Sequence, residues 1–269
     1  MSGEFFSLVF EALVDGAIDS KLARLRDIKA SFHLLDFSHD SPVMALDAPS
    51  YASFCAIVHP TRIKRPKHCD SIKSLAKILH SVAHIEYSAI DLGLDAAYRF
   101  RGMPIEYYAA FLDLAYQEVE HFLMVDSILR ELGYAYGDFC VHEGLFTALQ
   151  RSPKLIERMA LVHKGLEALG LDANPFVAKK IEASKSLPPA LKSRILEALA
   201  VILRDEIGHV KTGAKWLDYA QKQALDSRSF VEILAPFRDL SLVGRVPNIG
   251  ARLQAGYTEA EIDALRALN

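Results

Sequence analysis

The sequence predicts an all-α protein built on a four-helix bundle. Three observations favour this fold. Four segments of roughly 30 residues repeat apolar side chains at helical spacing. Two tight turns join these segments in pairs, and one long connection separates the pairs. Only 14 Gly and 11 Pro interrupt the 269 residues, which is too few for a protein of many short strands.

The first bundle hairpin follows an N-terminal region of a different kind. Residues 1–30 are expected to form one or two amphipathic helices, and residues 31–68, with four prolines, an irregular stretch. The first bundle helix is predicted over residues 70–100 and the second over residues 104–133. The turn between them, Arg101–Pro104, combines a Gly with a following Pro, which is typical of a helix–helix turn.

The third bundle helix comes after the long connection, residues 134–146. It is predicted to begin near Pro153. The segment from Gly170 to Pro175 should interrupt it, because Gly and Pro both disfavour a helix interior. A short helix over residues 175–186 is then expected to continue in its direction.

The fourth helix and a C-terminal extension complete the chain. The break at Leu187–Pro189 precedes a helix that should end near Gln223. Short helices are expected over residues 229–238 and 258–268, with a loop around Pro247 between them. The organisation predicted is one domain over residues 1–269, with a bundle core (70–223), an N-terminal extension (1–69) and a C-terminal extension (224–269).

Charge and composition argue against several classes of protein. The net charge of -3 provides no general attraction to nucleic acid or to an anionic membrane. No apolar run reaches the ~20 residues that a membrane-spanning helix needs. The N-terminus lacks the basic start of a signal peptide, and the three cysteines include no C-x-x-C pair. A cytoplasmic location is therefore expected. The oligomeric state, monomer or dimer, is left open by the sequence.

Three glutamates lie on otherwise apolar helix faces. Glu86, Glu118 and Glu206 belong to three different predicted helices, and the residues three, four and seven positions away are nearly all apolar. The exceptions are His121 and His209, each one turn after a glutamate. A carboxylate inside a core costs several kcal/mol unless it is paired or bound to a metal. These glutamates therefore imply a common partner.

Glu118/His121 and Glu206/His209 form two Glu-x-x-His units. Such a unit places a carboxylate oxygen and an imidazole nitrogen on one helix face, and this ligand mix suits iron, manganese or zinc. In di-iron and di-manganese bundles, two helices each carry this unit and the other two each carry one glutamate. Glu86 is the single carboxylate expected from the first bundle helix.

Distance from the turns selects the fourth carboxylate. Ligands of one site must lie at one level of an antiparallel hairpin, so they should be equally far from its turn. Glu86 and Glu118 lie at equal distances from the centre of the first turn. The same rule places the partner of Glu206 close to Glu167. Glu157 would lie roughly 15 Å from that level.

The sequence therefore predicts a dinuclear metal site with six ligands: Glu86, Glu118, His121, Glu167, Glu206 and His209. Iron is expected, and manganese or a mixed iron/manganese pair would suit the same ligand types. Two such ions with open coordination positions predict an oxidase or oxygenase that uses dioxygen, a substrate and an electron donor. Salt bridges between these Glu and His residues, in a bundle without metal, are the alternative.

Several stretches of the chain resemble a known family. The resemblance rests on HSVAHIEYSAIDLGLDAAYRF, YQEVEHF, YGDFCVHEGLF, RMALVHKGLEALGLD, LRDEIGHVKTGAKW and VPNIGARLQAGYTEAEI. These stretches, within residues 60–262, resemble the ferritin-like proteins grouped as domain of unknown function 455 and, more distantly, the di-iron tRNA hydroxylases. The resemblance implies a ferritin-like bundle, a dinuclear metal centre and the same six ligands. The family pattern has Arg where Leu169 stands and Pro where His163 stands, both close to Glu167.

Neighbours of the predicted ligands are candidates for supporting roles. Asp205 precedes Glu206, and in di-iron oxygenases of similar pattern this Asp bonds the far nitrogen of the other helix's His, here His121. His163 lies one turn before Glu167 and is an extra ligand, a gate or a core histidine. Lys164 shares the face of Glu167, which weakens the assignment of that glutamate as a ligand.

Three other functions are compatible with the sequence. Iron storage or detoxification needs a shell-forming oligomer, and this chain is longer than a minimal ferritin subunit. Hydroxylation of tRNA is suggested by the distant resemblance and by the basic run RIKRPKH, residues 62–68, for which a solvated loop is the simpler interpretation. The third alternative is a metal-free interaction scaffold.

Overall fold

The structure, a computed structural model, describes residues 3–268. Over these residues the chain is helical, apart from loops, turns and two isolated β-bridges. The prediction of an all-α protein is confirmed; the parts of the predicted extensions at residues 1, 2 and 269 lie outside the described residues. The chain forms two compact units, called unit 1 (Met1–Pro66 and Ile72–Phe146) and unit 2 (Lys67–Ser71 and Thr147–Asn269).

Unit 1 contains the N-terminal helices and the first hairpin. Its helices are α1 (Phe5–Val14), α2 (Ile18–Ser31), α3 (Ile72–Arg99) and α4 (Ile105–Glu131). The stretch between α2 and α3 contains only short 3-10 turns at Phe32–Leu34, Ser50–Ser53 and Pro60–Arg62. The boundary between the units falls within α5 (Gly144–Arg151). The predicted helix ends in this unit are reproduced to within a few residues.

The hairpin of α3 and α4 is held by its turn and by close helix packing. Gly102 takes a positive φ of 71°, which suits a residue without a side chain. Near the turn, the buried Tyr107 hydroxyl donates to the carbonyl of Ala96 at 3.1 Å. Further along, a methyl group added at Gly93 would lie 3.0 Å from the Leu114 side chain. The two helices therefore approach closely at the level of Gly93.

A buried ion pair anchors the N-terminal extension to α3. Lys21 is fully buried, and its Nζ lies 2.7 Å from Asp91 Oδ1. The same Nζ donates to the carbonyl of Leu13 at 3.1 Å. Ser50 donates to Asp91 through its hydroxyl at 2.7 Å and through its backbone N–H at 3.1 Å. These hydrogen bonds offset the cost of removing both charges from water.

Unit 2 contains the third and fourth long helical segments and the C-terminal extension. Its elements are α6 (Leu155–Arg158), a π-helix (Met159–Leu166), α7 (Glu167–Ala183), α8 (Pro189–Ala224), α9 (Phe230–Leu234), a 3-10 turn (Ala235–Leu240), α10 (Ile249–Gln254) and α11 (Glu259–Leu268). The α6 helix, the π-helix and α7 follow one another without a break and pack against α8.

The predicted interruption between Gly170 and Pro175 is wrong, because α7 continues through both residues. A proline inside a helix deprives the carbonyl four residues earlier of its N–H partner. Here that carbonyl belongs to Leu171, and it accepts a hydrogen bond from the Asn248 side-chain amide at 3.2 Å. Asn174 makes a second bridge, to the carbonyl of Leu199 in α8 at 2.8 Å. Distant partners therefore replace the hydrogen bond that Pro175 removes.

The C-terminal extension is fixed to α7 by the carboxylate of Asp172. It accepts from the backbone N–H of Gly244 and that of Asn248, both at 2.8 Å. The fully buried Arg252 guanidinium donates to the same carboxylate at 2.9 and 2.7 Å. Pro247 lies in a loop, as predicted. Asn248 caps α10, a short helix after this loop that the sequence prediction did not include.

Three features of the sequence can be compared with the structure. No helix between residues 3 and 268 combines the length and the apolar character needed to cross a membrane. The cysteines are unbonded thiols, with Cys55 and Cys69 buried and Cys140 exposed. The basic run of residues 62–68 is an exposed loop for most of its length.

Candidate metal centre

The predicted ligands share one property: all of them are buried. No side chain of the set is more than 9% exposed, and the set comprises Glu86, Glu118, His121, Glu167, Glu206 and His209. Four carboxylates are thus removed from water. Buried carboxylates require positive partners or metal ions, because desolvation of an isolated charge is too costly.

The ligands of unit 1 form a tight group. Glu86 lies on α3, whereas Glu118 and His121 lie one turn apart on α4. His121 Nδ1 is 3.3 Å from Glu86 Oε2 and 3.4 Å from Glu118 Oε2. Each of the three residues offers a ligand atom within 4.8 Å of the other two. Buried Glu and His side chains are therefore arranged in a way that can hold a metal ion.

The hairpin register explains this grouping. Gly93 contacts Leu114, and a step of seven residues along each helix from that contact leads to Glu86 and His121. Glu86 therefore lies opposite His121. Equal distances from the hairpin turn predicted that it would lie opposite Glu118, which is about one helical turn away. Glu118 contacts the same imidazole because it lies one helical turn from His121 on the same face.

The pKa values in the unit 1 group depend on two carboxyl groups, Glu86 and Glu118, that share one imidazole, His121. Burial raises the pKa of Glu86 to about 7, and repulsion by Glu118 adds to this shift. Burial acts to lower the pKa of His121, but its contacts with Glu118 and Glu86 outweigh burial and raise that pKa to about 11. A proton on the imidazole compensates one carboxylate charge. A bound cation would compensate both charges and would leave every ligand atom deprotonated.

The ligands of unit 2 lie on two facing helices. Glu167 is the first residue of α7, and Glu206 and His209 lie on α8. His209 Nδ1 is 4.0 Å from Glu206 Oε2, and His163 Nδ1 is 3.9 Å from Glu167 Oε1. A methyl group added at Gly170 would lie 3.7 Å from the Glu206 carboxylate, so α7 approaches α8 at that level.

A second contact fixes the register between these helices. A methyl group added at Gly213 would lie 2.2 Å from the backbone oxygen of His163. A step of seven residues along each helix leads from this contact to the one between Gly170 and Glu206. Both contacts therefore belong to one antiparallel register, in which Glu167 lies opposite His209. Sequence reasoning could have found this contact, because Gly213 is a residue without a side chain seven positions after Glu206, on the same helix face.

The structure places the predicted residues unequally. Glu86, Glu118 and His121 come together in the tight group of unit 1. In unit 2, Glu167 Oε1 lies 3.9 Å from His163 Nδ1, and Glu206 Oε2 lies 4.0 Å from His209 Nδ1.

The supporting role of Asp205 stays a prediction. Asp205 is half-buried, and its carboxylate accepts from the Arg204 guanidinium at 2.8 and 3.0 Å. The Nδ1 atom of His121 faces Glu86 and Glu118. The hydrogen bond predicted for Asp205 would therefore involve Nε2 of His121.

Lys164 does not interfere with Glu167. Its ammonium lies 4.0 Å from the centre of the Phe230 ring and pairs with Glu261 at 2.5 Å. The backbone oxygen of Lys164 accepts from the Tyr257 hydroxyl. The C-terminal extension therefore binds the lysine that the sequence places on the same helix face as Glu167.

The buried His84, which is not among the six predicted ligands, has structural partners. His84 Nε2 lies 2.7 Å from the carbonyl of His142, so this nitrogen is the donor. Its Nδ1 therefore accepts from the Tyr136 hydroxyl at 2.9 Å. Burial lowers the pKa of His84 to about 3, which keeps it neutral. Because both nitrogens are used in this way, His84 is a packing residue, in agreement with its exclusion from the predicted ligands.

Comparison with known proteins identifies the family. Residues 15–263 match the family model described as a protein of unknown function, DUF455. The chain belongs to this family. A relative from Haemophilus influenzae, described as an uncharacterized protein, is 42% identical over 198 residues, which is 70% of this chain. The match spans 66% of that relative's length. No solved structure matches the chain significantly.

Proposed function

We propose that this DUF455 protein is a ferritin-like dinuclear metal carboxylate protein that uses dioxygen to oxidise a substrate. The observation that supports the proposal most is the buried group of Glu86, Glu118 and His121, whose ligand atoms lie within 4.8 Å of one another. The second half of the proposed ligand set, in unit 2, is Glu167, Glu206 and His209. The predicted cytoplasmic location is part of the same proposal.

The donor spacings are compatible with metal binding. Two donors on one ion, each at ~2.1 Å from it, cannot be more than ~4.2 Å apart. Three pairs of proposed ligands meet this limit, with separations of 3.3 and 3.4 Å in unit 1 and 4.0 Å in unit 2. Four carboxylates also balance the charge of two divalent cations when the imidazoles are neutral. Mixed carboxylate and imidazole donors suit iron and manganese.

The side chains around the group in unit 1 suit oxidation chemistry. Two reduced ions, when bound, would supply the electrons for the two-electron reduction of dioxygen. Phe111 and Phe122, on the same face of α4 as Glu118, are buried and would form apolar walls beside the group. Such walls exclude water and strengthen the electrostatic interaction between the carboxylates and a cation.

Metal analysis tests the proposal. We expect about two metal ions per chain in protein produced with added iron, in line with the dinuclear carboxylate bundles. Glu118→Gln should lower that content, because it removes a carboxylate charge with little change of volume. Glu120→Gln is the matched control, since Glu120 is exposed two residues away on α4. Wild-type protein without metal, or equal contents in both variants, would contradict the proposal.

Two further measurements separate oxidation from the alternatives. Protein loaded with Fe(II) under anaerobic conditions should consume dioxygen on mixing, and Glu118→Gln protein should not. Light scattering should give a monomer or dimer. A particle of 24 subunits would instead support iron storage.

A further inference from the structure

His163 occupies an unusual position in unit 2. Its side chain is fully buried, and it lies in the π-helix Met159–Leu166. Its Nδ1 is 3.9 Å from Glu167 Oε1, within the spacing that two donors on one ion allow. Single π turns inside α-helices are rare and often occur at functional sites. The residue therefore has a suitable atom, at a suitable distance, in a segment whose geometry requires an explanation.

The π turn aligns His163 with Glu167. The backbone N–H of Glu167 donates to the carbonyl of Val162, five residues earlier, which is the hydrogen bond of a π-helix. A wider turn keeps residues four apart, such as His163 and Glu167, on the same face. It rotates residues three apart away from each other, and Lys164 accordingly points to Phe230. The π turn thus replaces a cation beside Glu167 with an imidazole.

The packing of α8 favours the same arrangement. Gly213 allows α8 to touch the backbone of His163, since any side chain there would collide with it. In this register His163 lies one turn from the level at which Glu167 faces His209. The π turn and the glycine contact together bring the imidazole of His163 close to the proposed ligands of unit 2.

We propose that His163 is a seventh metal ligand, so that unit 2 contributes two imidazoles and two carboxylates. This inference rests on the proposed function, because it assumes that the buried carboxylates bind metal. Its consequence is an inequivalent pair of ions. The ion held by unit 2 has the more nitrogen-rich ligand set and should prefer metals that favour imidazole.

Cobalt(II) is a suitable probe because it is paramagnetic and its binding can be measured without enzymatic activity. Wild-type protein loaded with two Co(II) ions should show three exchangeable, hyperfine-shifted imidazole N–H signals, from His121, His163 and His209. The His163→Phe variant should lose one signal and bind one of the two ions at least about tenfold more weakly. The control is His80→Phe, because His80 is equally buried but accepts from the N–H of Gly137 in unit 1.

The outcomes distinguish the two proposals. No binding of Co(II) by wild-type protein would contradict the proposed function. Two bound ions with only two imidazole signals, both retained in His163→Phe, would overturn only the inference about His163. If His163→Phe does not fold, the same Co(II) measurements on His163→Gln test the inference. The number of imidazole N–H signals from wild-type protein tests it as well. Equal weakening of binding by His80→Phe would show a general effect of losing a buried histidine and would also overturn the inference.

Discussion

The two halves of the proposed metal centre use the same kinds of side chain but are built differently. In unit 1, two regular helices joined by a tight turn bring Glu86, Glu118 and His121 together, with nitrogen–oxygen distances of 3.3 and 3.4 Å. In unit 2, Glu167 follows a π-helix, and the nitrogen–oxygen distances are 3.9 and 4.0 Å. One half depends on a local hairpin, whereas the other depends on the C-terminal extension.

The difference shows how irregular structure is stabilised. A π-helix and an internal proline both disturb the regular hydrogen bonds of a helix. In unit 2, the Tyr257 hydroxyl binds the carbonyl of Lys164, and Asn248 binds that of Leu171. Both partners come from the C-terminal extension. The geometry around Glu167 should therefore be sensitive to changes far from it in sequence, and that around Glu86 should not.

The largest expected effect tests this dependence at Asp172. Asp172→Ala removes the carboxylate that holds Gly244, Asn248 and the buried Arg252. Breaking a buried ion pair by removing one partner costs about 3–5 kcal/mol. We expect a loss of this size in the free energy of unfolding, measured with urea. Binding of Co(II) should weaken as well.

An exposed pair on α8 provides the control for Asp172. Asp218 pairs with Lys222 at the surface, and Asp218→Ala should change the free energy of unfolding by less than about 0.5 kcal/mol. A loss below about 1 kcal/mol for Asp172→Ala would show that the C-terminal extension does not stabilise unit 2.

The next effect concerns the closest helix contact in unit 2. Gly213→Ala places a methyl group 2.2 Å from the backbone oxygen of His163, and backbone cannot move aside as a side chain end can. We expect a loss of about 1–3 kcal/mol in the free energy of unfolding, typical of overpacking. Binding of Co(II) should also weaken, because α8 and the π-helix must separate.

Two other glycines sharpen the comparison. Gly93→Ala, the same change in unit 1, places the methyl group 3.0 Å from the Leu114 side chain and 3.2 Å from the Ala115 backbone nitrogen. These contacts are much longer than 2.2 Å, so the change should cost less than Gly213→Ala. Gly208→Ala on α8 meets nothing within 4 Å and should stabilise the protein by up to about 1 kcal/mol through helix propensity. Equal effects of Gly213→Ala and Gly208→Ala on stability would refute the contact with His163.

The smallest effect, taken per pH unit, is a pH dependence that originates in unit 1. In metal-free protein the pKa of His121 is raised to about 11, so its stabilising charge is fully present below the ordinary pKa of 6.5. That stability is lost as pH rises through 11, at up to about 1.4 kcal/mol per pH unit. A metal ion must displace this proton, so Co(II) affinity should rise about tenfold per pH unit between pH 7 and 9.

Calorimetry in two buffers of different ionisation enthalpy would count the released proton. A Co(II) affinity that does not change between pH 7 and 9 would show that His121 is not protonated in the metal-free protein, or that it does not bind the ion. The Glu120→Gln variant should reproduce the wild-type slope, because Glu120 is exposed and outside the ligand group.

Much of the fold could be predicted from the sequence. Helices α3, α4 and α8 begin and end within three residues of the predicted positions, because Pro and Gly mark their ends. Glu86, Glu118 and Glu206 could be recognised because each interrupts an apolar face, and all three are buried. Their assignment as metal ligands is still a prediction. The ferritin-like relationship also remains a proposal, which the family match does not address.

The sequence by itself determined that the long segments α3, α4 and α8 are helical and which of their glutamates face inward, because helical periodicity and breakers act over a few neighbouring residues. Only the tertiary structure decided that α7 continues through Pro175 and that Lys164 turns away from Glu167. Those outcomes depend on Asn248 and Tyr257, which lie 77 and 93 residues from the carbonyls they bind. No local pattern encodes such partners, because a hydrogen bond depends on distance in space and not along the chain.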